Sequence, residues 1–557
     1  MSPARFLRVP PTVRRRLCGV WRWLRIADKC LVVPAAVGVL YGLLMVLIAA
    51  LTCVRGSCNS GCPGAAVVPL YRRPLTVRTF YYATPNRPHV GYGGASARRL
   101  FERHGWEEAR PAHTADDWDL LWTFMPQYTA LPPGLPRRSQ RHNHCMGLAQ
   151  AWGIHGTKES QWACFAEMRR LFGDRRFGYM PETFVLPSQV AAWRAASVAD
   201  PGALWIVKSS RGARGRGIVV VDAVPTDTTV ALRKGVVQRY VVNPLLIDGR
   251  KFHLRLYVVV ASIAPLRVLM SHTGLLMVAA EAFSADPAAF TNRRIHLTNS
   301  AVGATVAPLV DFWRRLSGLG WSASKQRALW QAFADLAVKV AFSSQVAPPG
   351  GADSPRPGRP HHFEWRKPGT CFDLLGFDVT VTAAGRPVLL EVNNGPEVLS
   401  EQPLTHPVNE AVHTEMLTEL LAVVAAPRSA AAPEELARFW QLVQTRLLGS
   451  RIPLVVTEAG NFSSPITLCH GVRLRLDYRD VVNDETADRP DGPWPRCVTT
   501  ADLLVLWESY DERRSIRRFE AVYPVGCDDR YADLYLQPEP WLSRLNRRWL
   551  AIVDGCA

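Results

Sequence analysis

Three groups of residues in this 557-residue chain have types and spacing that could do chemistry. The first is Lys208-Ser-Ser-Arg-Gly-Ala-Arg-Gly-Arg-Gly217-Ile218. Gly212, Gly215 and Gly217 permit a tight backbone path that presents N–H groups, and such concavities hold phosphate. Lys208, Arg211 and Arg214 add positive charge, and Ile218 opens the next strand. The segment has no Gly-Lys-Ser/Thr, and a strand follows it, so it is neither a Walker loop nor a dinucleotide fingerprint. A basic hairpin turn would read the same way.

The second group is Asp378, Glu391 and Asn393. Glu391 and Asn393 are two apart and share one face of a strand. Asp378 can meet them from the neighbouring strand of a hairpin. Two carboxylates and an amide oxygen make a hard site suited to Mg²⁺ together with substrate phosphates. A polar hairpin with solvated acids is the alternative, but Leu389, Leu390 and Val392 flank the acids, and a buried acid without a partner is costly. The third group is Lys251, His253 and Arg255, which alternate onto one strand face. A row of such groups on an apolar strand calls for opposing anions, and a nucleoside triphosphate would supply them; an edge strand with a basic solvent face is the other possibility.

The elements that must position these groups can be read from pattern. Leu204–Lys208, Ile218–Asp222, Val236–Tyr240 and Phe252–Ala261 read as strands, and Trp118–Trp122 as a buried one. Cys371–Thr382 and Val388–Val392, joined at Ala384-Gly385, read as a hairpin. Helices are expected at about Gln161–Phe172 and Val408–Ala425. The Pro/Gly-rich stretch 345–370 reads as a flexible insertion.

Composition is ordinary for a globular protein, at 48% hydrophobic and 20% charged, and the formal net charge is +18. A basic body favours nucleic acid, anionic lipid or acidic protein tails. Residues 1–30 form a basic tail. Residues 31–53 are uncharged over a length that matches the roughly 20 residues of a spanning helix, which predicts a single-pass membrane protein. The flanking charge puts the N-terminus in the cytosol and the body across the membrane. The 12 cysteines, four of them (Cys469, Cys497, Cys527, Cys556) near the C-terminus, and the Asn461-Phe-Ser sequon agree with that placement. Residues 54–75 read as a stalk and 76–197 as a first α/β unit. The catalytic unit spans 198–426, and 427–557 stands as a separate extension without a readable motif.

Taken in order, several strings resemble the tubulin tyrosine ligase-like family. They are Trp118-Asp-Leu-Leu-Trp122, Arg141-His-Asn-His144, Pro181–Pro187, Trp205–Lys208 with Arg211–Ile218, and Val237-Gln-Arg-Tyr240. Asn243–Phe252, His296-Leu-Thr-Asn299, Phe372–Asp378 and Leu390-Glu-Val-Asn393 complete the set. The resemblance covers roughly residues 90–425 and implies an α/β (α+β) ATP-grasp fold, with two lobes clamping ATP. It implies that Lys208 and Lys251 hold phosphates and that Gln238, Arg239, Tyr240 and Val241 line the adenine pocket. His253 falls at a position that helps bind ATP. Arg255, Thr298 and Asn299 lie by the γ-phosphate, and Asp378, Glu391 and Asn393 hold Mg²⁺. The implied reaction joins glutamate, glycine or tyrosine to a protein carboxylate through an acyl phosphate. The implied partners are a free amino acid and an acidic acceptor, tubulin tails by family default, with no nucleic acid. Two residues depart from the family pattern: His253 stands where Asp is usual, and Met277 stands where Arg is usual at a position linked to the incoming amino acid or acceptor. A membrane-anchored ATP-binding pseudoenzyme and a ligase for a non-tubulin acceptor are therefore alternatives.

Overall fold

The alternation that sends Lys251, His253 and Arg255 to one side of a strand sends Phe252, Leu254 and Leu256 to the other, and the fold uses both sides. In the computed structural model the described residues are 77–81, 100–108, 120–122, 141–143, 157–224, 234–346, 371–396, 407–424, 438–447, 467–468 and 497–556. A few positions inside these stretches, among them Arg211, Ala213, Arg214 and Arg216, lie outside the description. The architecture is mixed α/β with largely antiparallel sheets.

Four short parallel strands come first: β1 (Val77–Tyr81), β2 (Trp106–Glu108), β3 (Leu120–Trp122) and β4 (Arg141–Asn143). A smaller antiparallel sheet follows, in the order β5 (Thr183–Leu186), β8 (Gly235–Arg239), β6 (Trp205–Ser209) and β7 (Ile218–Val221). Trp193 and Trp205 pack its core. The central sheet is built on β9 (Phe252–Ile263) and β10 (Leu266–Val278), with β11 (Thr305–Pro308), β12 (Cys371–Val381) and β13 (Pro387–Asn394). Strands β9 and β10 are long because they are runs of β-branched and apolar residues with only a two-residue turn between them. The even-numbered side of β9 faces a large core that includes Phe312, Leu329 and Phe333. Those three residues come from α5 (Leu309–Gly318) and α6 (Ala323–Ser343), which follow α1 (Lys158–Phe172), α2 (Asp174–Phe177), α3 (Val190–Ala199) and α4 (Arg293–His296). The odd-numbered side, at Tyr257, Val259 and Ala261, packs beneath α7 (Pro407–Val424).

The segment expected to stand apart does not. After the short pair β14 (Thr467–Leu468) and β15 (Cys497–Val498) and helix α8 (Thr500–Ser515), strand β16 (Phe519–Tyr523) joins the central sheet antiparallel to β10. It shares one edge of β10 with β11: β16 pairs Val268–Ser271, and β11 pairs Leu275–Val278. Two buried groups pin this arrangement. The Glu419 carboxylate accepts from the backbone N–H of Arg517, Arg518 and Phe519. The Arg267 guanidinium, 2% exposed, donates to Ser509 Oγ at 2.9 Å and lies 3.5 Å from Glu512 of α8. Helix α9 (Trp541–Val553) packs on α8, and Cys527 is disulfide-bonded to Cys556.

The expected membrane span is corrected. Among the described residues no helix is long and apolar enough to cross a membrane. The longest, α6, is broken by Lys325, Arg327, Asp335 and Lys339, and α7 carries Glu410, Glu415 and Glu419. Residues 31–53 lie outside the described residues. The single-pass localisation and the membrane partner are therefore withdrawn. Asn461 and the 345–370 insertion also fall outside the description, apart from Gln345 and Val346 at its start.

Candidate functional site

Strand register assembles the site. Across four strands of the central sheet, Leu275 pairs with Arg255, Arg255 with Asp378, and Asp378 with Glu391. Directly opposed residues share a face, so the acids and the guanidinium meet in one lateral row. Arg255 grips Asp378 with two hydrogen bonds, the Nη2 one at 3.1 Å. Gly376 makes this possible: a Cβ there would stand 2.9 Å from Arg255 Cδ, so only glycine lets the arginine stem cross the strand. Asn393 Nδ2 donates to Asp378 Oδ2 and to the Gly376 carbonyl, both at 3.3 Å. Burial pushes the Asp378 carboxyl up, but the Arg255 charge, aided by His253 and the hydrogen bonds, holds it below the ordinary carboxylate range.

Glu391 faces Lys158 at 3.4 Å. Lys158 also donates to the Gly212 carbonyl at 3.2 Å, so one ammonium ties the glycine loop to the acidic strand. Next to it, Gln161 forms a two-way bond with the Val392 backbone, donating to its carbonyl at 2.6 Å and accepting from its N–H at 3.2 Å. Both residues come from the first turns of α1, which Thr157 caps. Sequence reading missed Lys158 and Gln161. The available signal was a lysine in the first turn of a helix, where the dipole disfavours a cation unless an anion lies close by.

The smaller sheet supplies the other wall. Lys208 Nζ donates to Gln238 Oε1 at 2.7 Å and to the Leu390 carbonyl at 3.2 Å, and Gln238 Nε2 donates to Thr183 Oγ1 at 3.0 Å. Burial pulls the Lys208 ammonium down to about 8. A small cavity lies here, lined by Lys158, Lys208, Gln238, Thr183, Met180 and Leu390. Lys251 Nζ donates to the Tyr240 hydroxyl at 2.9 Å and sits 4.1 Å from the centre of its ring, and that hydroxyl also meets His296 Nδ1 at 2.9 Å. Burial, with help from Lys208, pulls Lys251 down to about 7. Two lysines held this far below their usual range are in surroundings that lack enough negative charge to match them.

His253 bonds Thr298 through Nδ1, and burial takes its imidazole down to about 4. Its Nε2 is buried without a hydrogen-bond partner and lies 3.9 Å from Asp378. Gly215, at φ 75°, approaches Asn299: an ideal Cβ there would be 3.2 Å from Asn299 Oδ1 and 3.2 Å from Arg293 Nη2. Gly217, at φ 72°, closes the loop onto Ile218. Arg239 is not brought in. Its guanidinium bonds Glu182 and Asp200 and stacks over Trp205 on the other side of β8 from Gln238. Val241 follows β8, half-buried, and Arg211 and Arg214 lie outside the described residues.

Among the described residues no three His, Cys, Asp or Glu side chains form a metal cluster. The candidate set is instead Asp378 and Glu391, completed by the Asn393 amide. Its chemistry fits Mg²⁺, because two carboxylates and an amide oxygen on neighbouring strands are hard donors, with Arg255 and Lys158 balancing the two acids in the nucleotide-free chain.

A family model described as "Tubulin-tyrosine ligase family" matches residues 139–431, more than half of the chain. "Tubulin monoglutamylase TTLL4" of Homo sapiens is 27% identical over 466 residues, covering 78% of this chain and 35% of that protein. "Tubulin polyglutamylase TTLL5" of Mus musculus is 30% identical over 339 residues, covering 58% of this chain and 24% of that protein. "Probable tubulin polyglutamylase TTLL2" of Homo sapiens is 27% identical over 353 residues, covering 56% and 53%. The chain thus spans about a third or less of the length of the first relatives it matches. The names of these relatives tie them to tubulin.

Proposed function

Because the chain belongs to the tubulin-tyrosine ligase family, we propose that it is an ATP-dependent carboxylate–amine ligase of ATP-grasp type that joins an amino acid to an acidic protein acceptor. The observation that supports this best is the linked set in which Arg255 and Asn393 bond Asp378, Lys158 joins Glu391 to the Gly212 carbonyl, and Lys208 reaches the Leu390 carbonyl beside Glu391. Lys208 and Lys251 bind the phosphate chain, whose negative charge restores the ammonium forms that burial disfavours. The backbone around Gly212, Gly215 and Gly217 cradles the same phosphates. Gln238, Tyr240 and Val241 border the base, and His253 and Thr298 orient the nucleotide beside Asn299. Asp378, Glu391 and Asn393 would hold Mg²⁺, which when bound neutralises charge on the transferring phosphoryl group. Arg255 stands where negative charge builds up as the acceptor carboxylate is activated. Lys158 keeps the loop and the acidic strand in register. The relatives are named for glutamylation of tubulin, and the net charge of +18 suits an acidic tail, so a tubulin-type acceptor is the reading carried forward.

Calorimetry with Mg·ATP tests the core of this reading. The parent chain binds, and Lys208→Ala loses tenfold or more in affinity, about 1.4 kcal/mol. Equal affinity in the two proteins would remove Lys208 from the phosphate site.

A further inference from the structure

We propose that Gln161 is a positioning residue for the metal set: its side-chain amide stands in for a neighbouring strand along β13 and so fixes where Glu391 and Asn393 point. This rests on the metal assignment in the ligase reading above.

The sequence makes Gln161 an exception on its helix. Gln161, Cys164, Phe165 and Met168 form the buried stripe of α1 at the spacing i, i+3, i+4, i+7, and the last three join the large core. An amide on such a stripe costs free energy unless its polar groups are bonded. Both are bonded here, and to one residue. The Gln161 side chain, in a residue only 4% exposed, donates to the Val392 carbonyl at 2.6 Å and accepts from the Val392 N–H at 3.2 Å.

Val392 is the residue that needs those bonds. Among the described strands β13 pairs with β12 alone, so its other edge has no strand beside it. Buried backbone groups on that edge must find partners elsewhere. Gln161 satisfies both groups of Val392, as a residue on an antiparallel neighbour would. Further along the same strand the Leu389 N–H donates to the Tyr179 carbonyl, and the Leu390 carbonyl accepts from Lys208. The register also slips here. Asp378 pairs with Glu391 but Val379 pairs with Leu389, which leaves Leu390 as an extra residue in β13. Such a bulge bends the strand and re-aims the side chains beside it. Glu391 follows the bulge directly, and Val392 lies between Glu391 and Asn393. Two bonds on Val392 therefore set the direction of the donors on either side, at the point where pairing to β12 is irregular. Lys158 reaches the Glu391 carboxylate, whereas Gln161 bonds the backbone and can hold the strand whatever Glu391 binds.

The test uses the full chain with ATP and with Mn²⁺ as the probe metal, whose free and bound forms are counted by electron paramagnetic resonance. Gln161→Met keeps the length of the side chain and removes the amide. It should weaken Mn²⁺ binding to the ATP-loaded chain by about 10–100-fold, while affinity for ATP without divalent metal stays within about threefold of the parent. In transfer assays the metal concentration for half-maximal rate should rise, and saturating Mg²⁺ should restore much of the parental rate. A role confined to folding would not split metal from nucleotide in this way. Equal Mn²⁺ affinity in the two proteins overturns the proposal, and so does a parallel loss of metal and nucleotide binding. If Gln161→Met does not fold, hydrogen exchange in the parent decides. The Val392 N–H, which no described strand covers, should exchange as slowly as the paired amides of β12, and fast exchange there overturns the proposal. A parent that binds neither nucleotide nor metal overturns the ligase reading and the proposal with it.

Discussion

The two halves of β9 share one strand, one face and one alternation, yet they do opposite things. At its start His253 and Arg255, with Lys251 just before them, meet Asp378, Thr298 and Tyr240. At its end Tyr257, Val259 and Ala261 lie under the apolar side of α7. The first half holds charge at a cost, seen in Lys251 and His253, both pulled well below their ordinary range by burial. The second half gains stability from the same burial. The difference teaches where the fold is supported and where it has been left strained for a ligand: the site end is the part of the sheet that a triphosphate and a metal would complete.

The largest effect that would break or sharpen this contrast is at Glu391. Replacing it by Gln keeps shape and removes one charge, so the melt without nucleotide should move little. ATP-dependent transfer should fall by about 10²–10³-fold, the range for losing one group that stabilises transition-state charge. Transfer at the parental rate would take Glu391 out of the metal set. A large drop in melting temperature would show that the site end also supports the fold, and the contrast between the halves would fail.

The next effect lies at the far end. Met416 of α7 is fully buried against the second half of β9. Met416→Ala should cost about 2–5 kcal/mol of stability, the usual range for truncating a buried aliphatic side chain. Affinity of the folded protein for Mg·ATP should stay within a factor of two or three. Denaturant unfolding beside calorimetry measures both quantities. A loss of affinity that matched the loss of stability would mean that α7 shapes the site as well as the core.

Much of the site end was legible because it depends on short-range rules. Period-two alternation placed Lys251, His253 and Arg255 on one face, and a hairpin with its turn at Ala384-Gly385 brought Asp378 opposite Glu391. The far end was not legible, because its pairing is non-local. Phe519–Tyr523 is five residues long and pairs with a strand some 250 positions earlier. Nothing within that stretch records its partner, and the Glu419 carboxylate that receives it is one acid among many in sequence. Lys158 was hidden for the same reason: its two partners, the Gly212 carbonyl and the Glu391 carboxylate, lie in distant segments. Alternation along β8 sends neighbours Gln238 and Arg239 to opposite faces, and the Arg239 side chain bonds Glu182 and Asp200. Residues 31–53 gave a strong local pattern, but no membrane-crossing helix stands among the described residues.

The smallest effect is a proton count, and it separates a charge-strained site from a merely buried one. Lys251 has its folded value near 7 against an ordinary 10.5, with burial the main cause and Lys208 assisting. Between those two pH values the unfolded chain holds a proton that the folded chain lacks. Stability of the nucleotide-free protein should therefore rise with pH across this window, and the cost of burying the ammonium should be present in full below pH 7. Phosphates arriving beside Lys251 reverse the preference and favour the charged form. Binding of Mg·ATP at pH 8.5 should thus be accompanied by uptake of close to one proton by Lys251, with a further fraction taken up by Lys208, whose value is about 8. At pH 6 both lysines are already charged, and uptake should vanish. Calorimetry in buffers of different ionisation enthalpy measures this directly. Uptake that is absent at pH 8.5 would mean that no phosphate reaches Lys251. Uptake that persists in Lys251→Met at the parental size would assign the proton to another group.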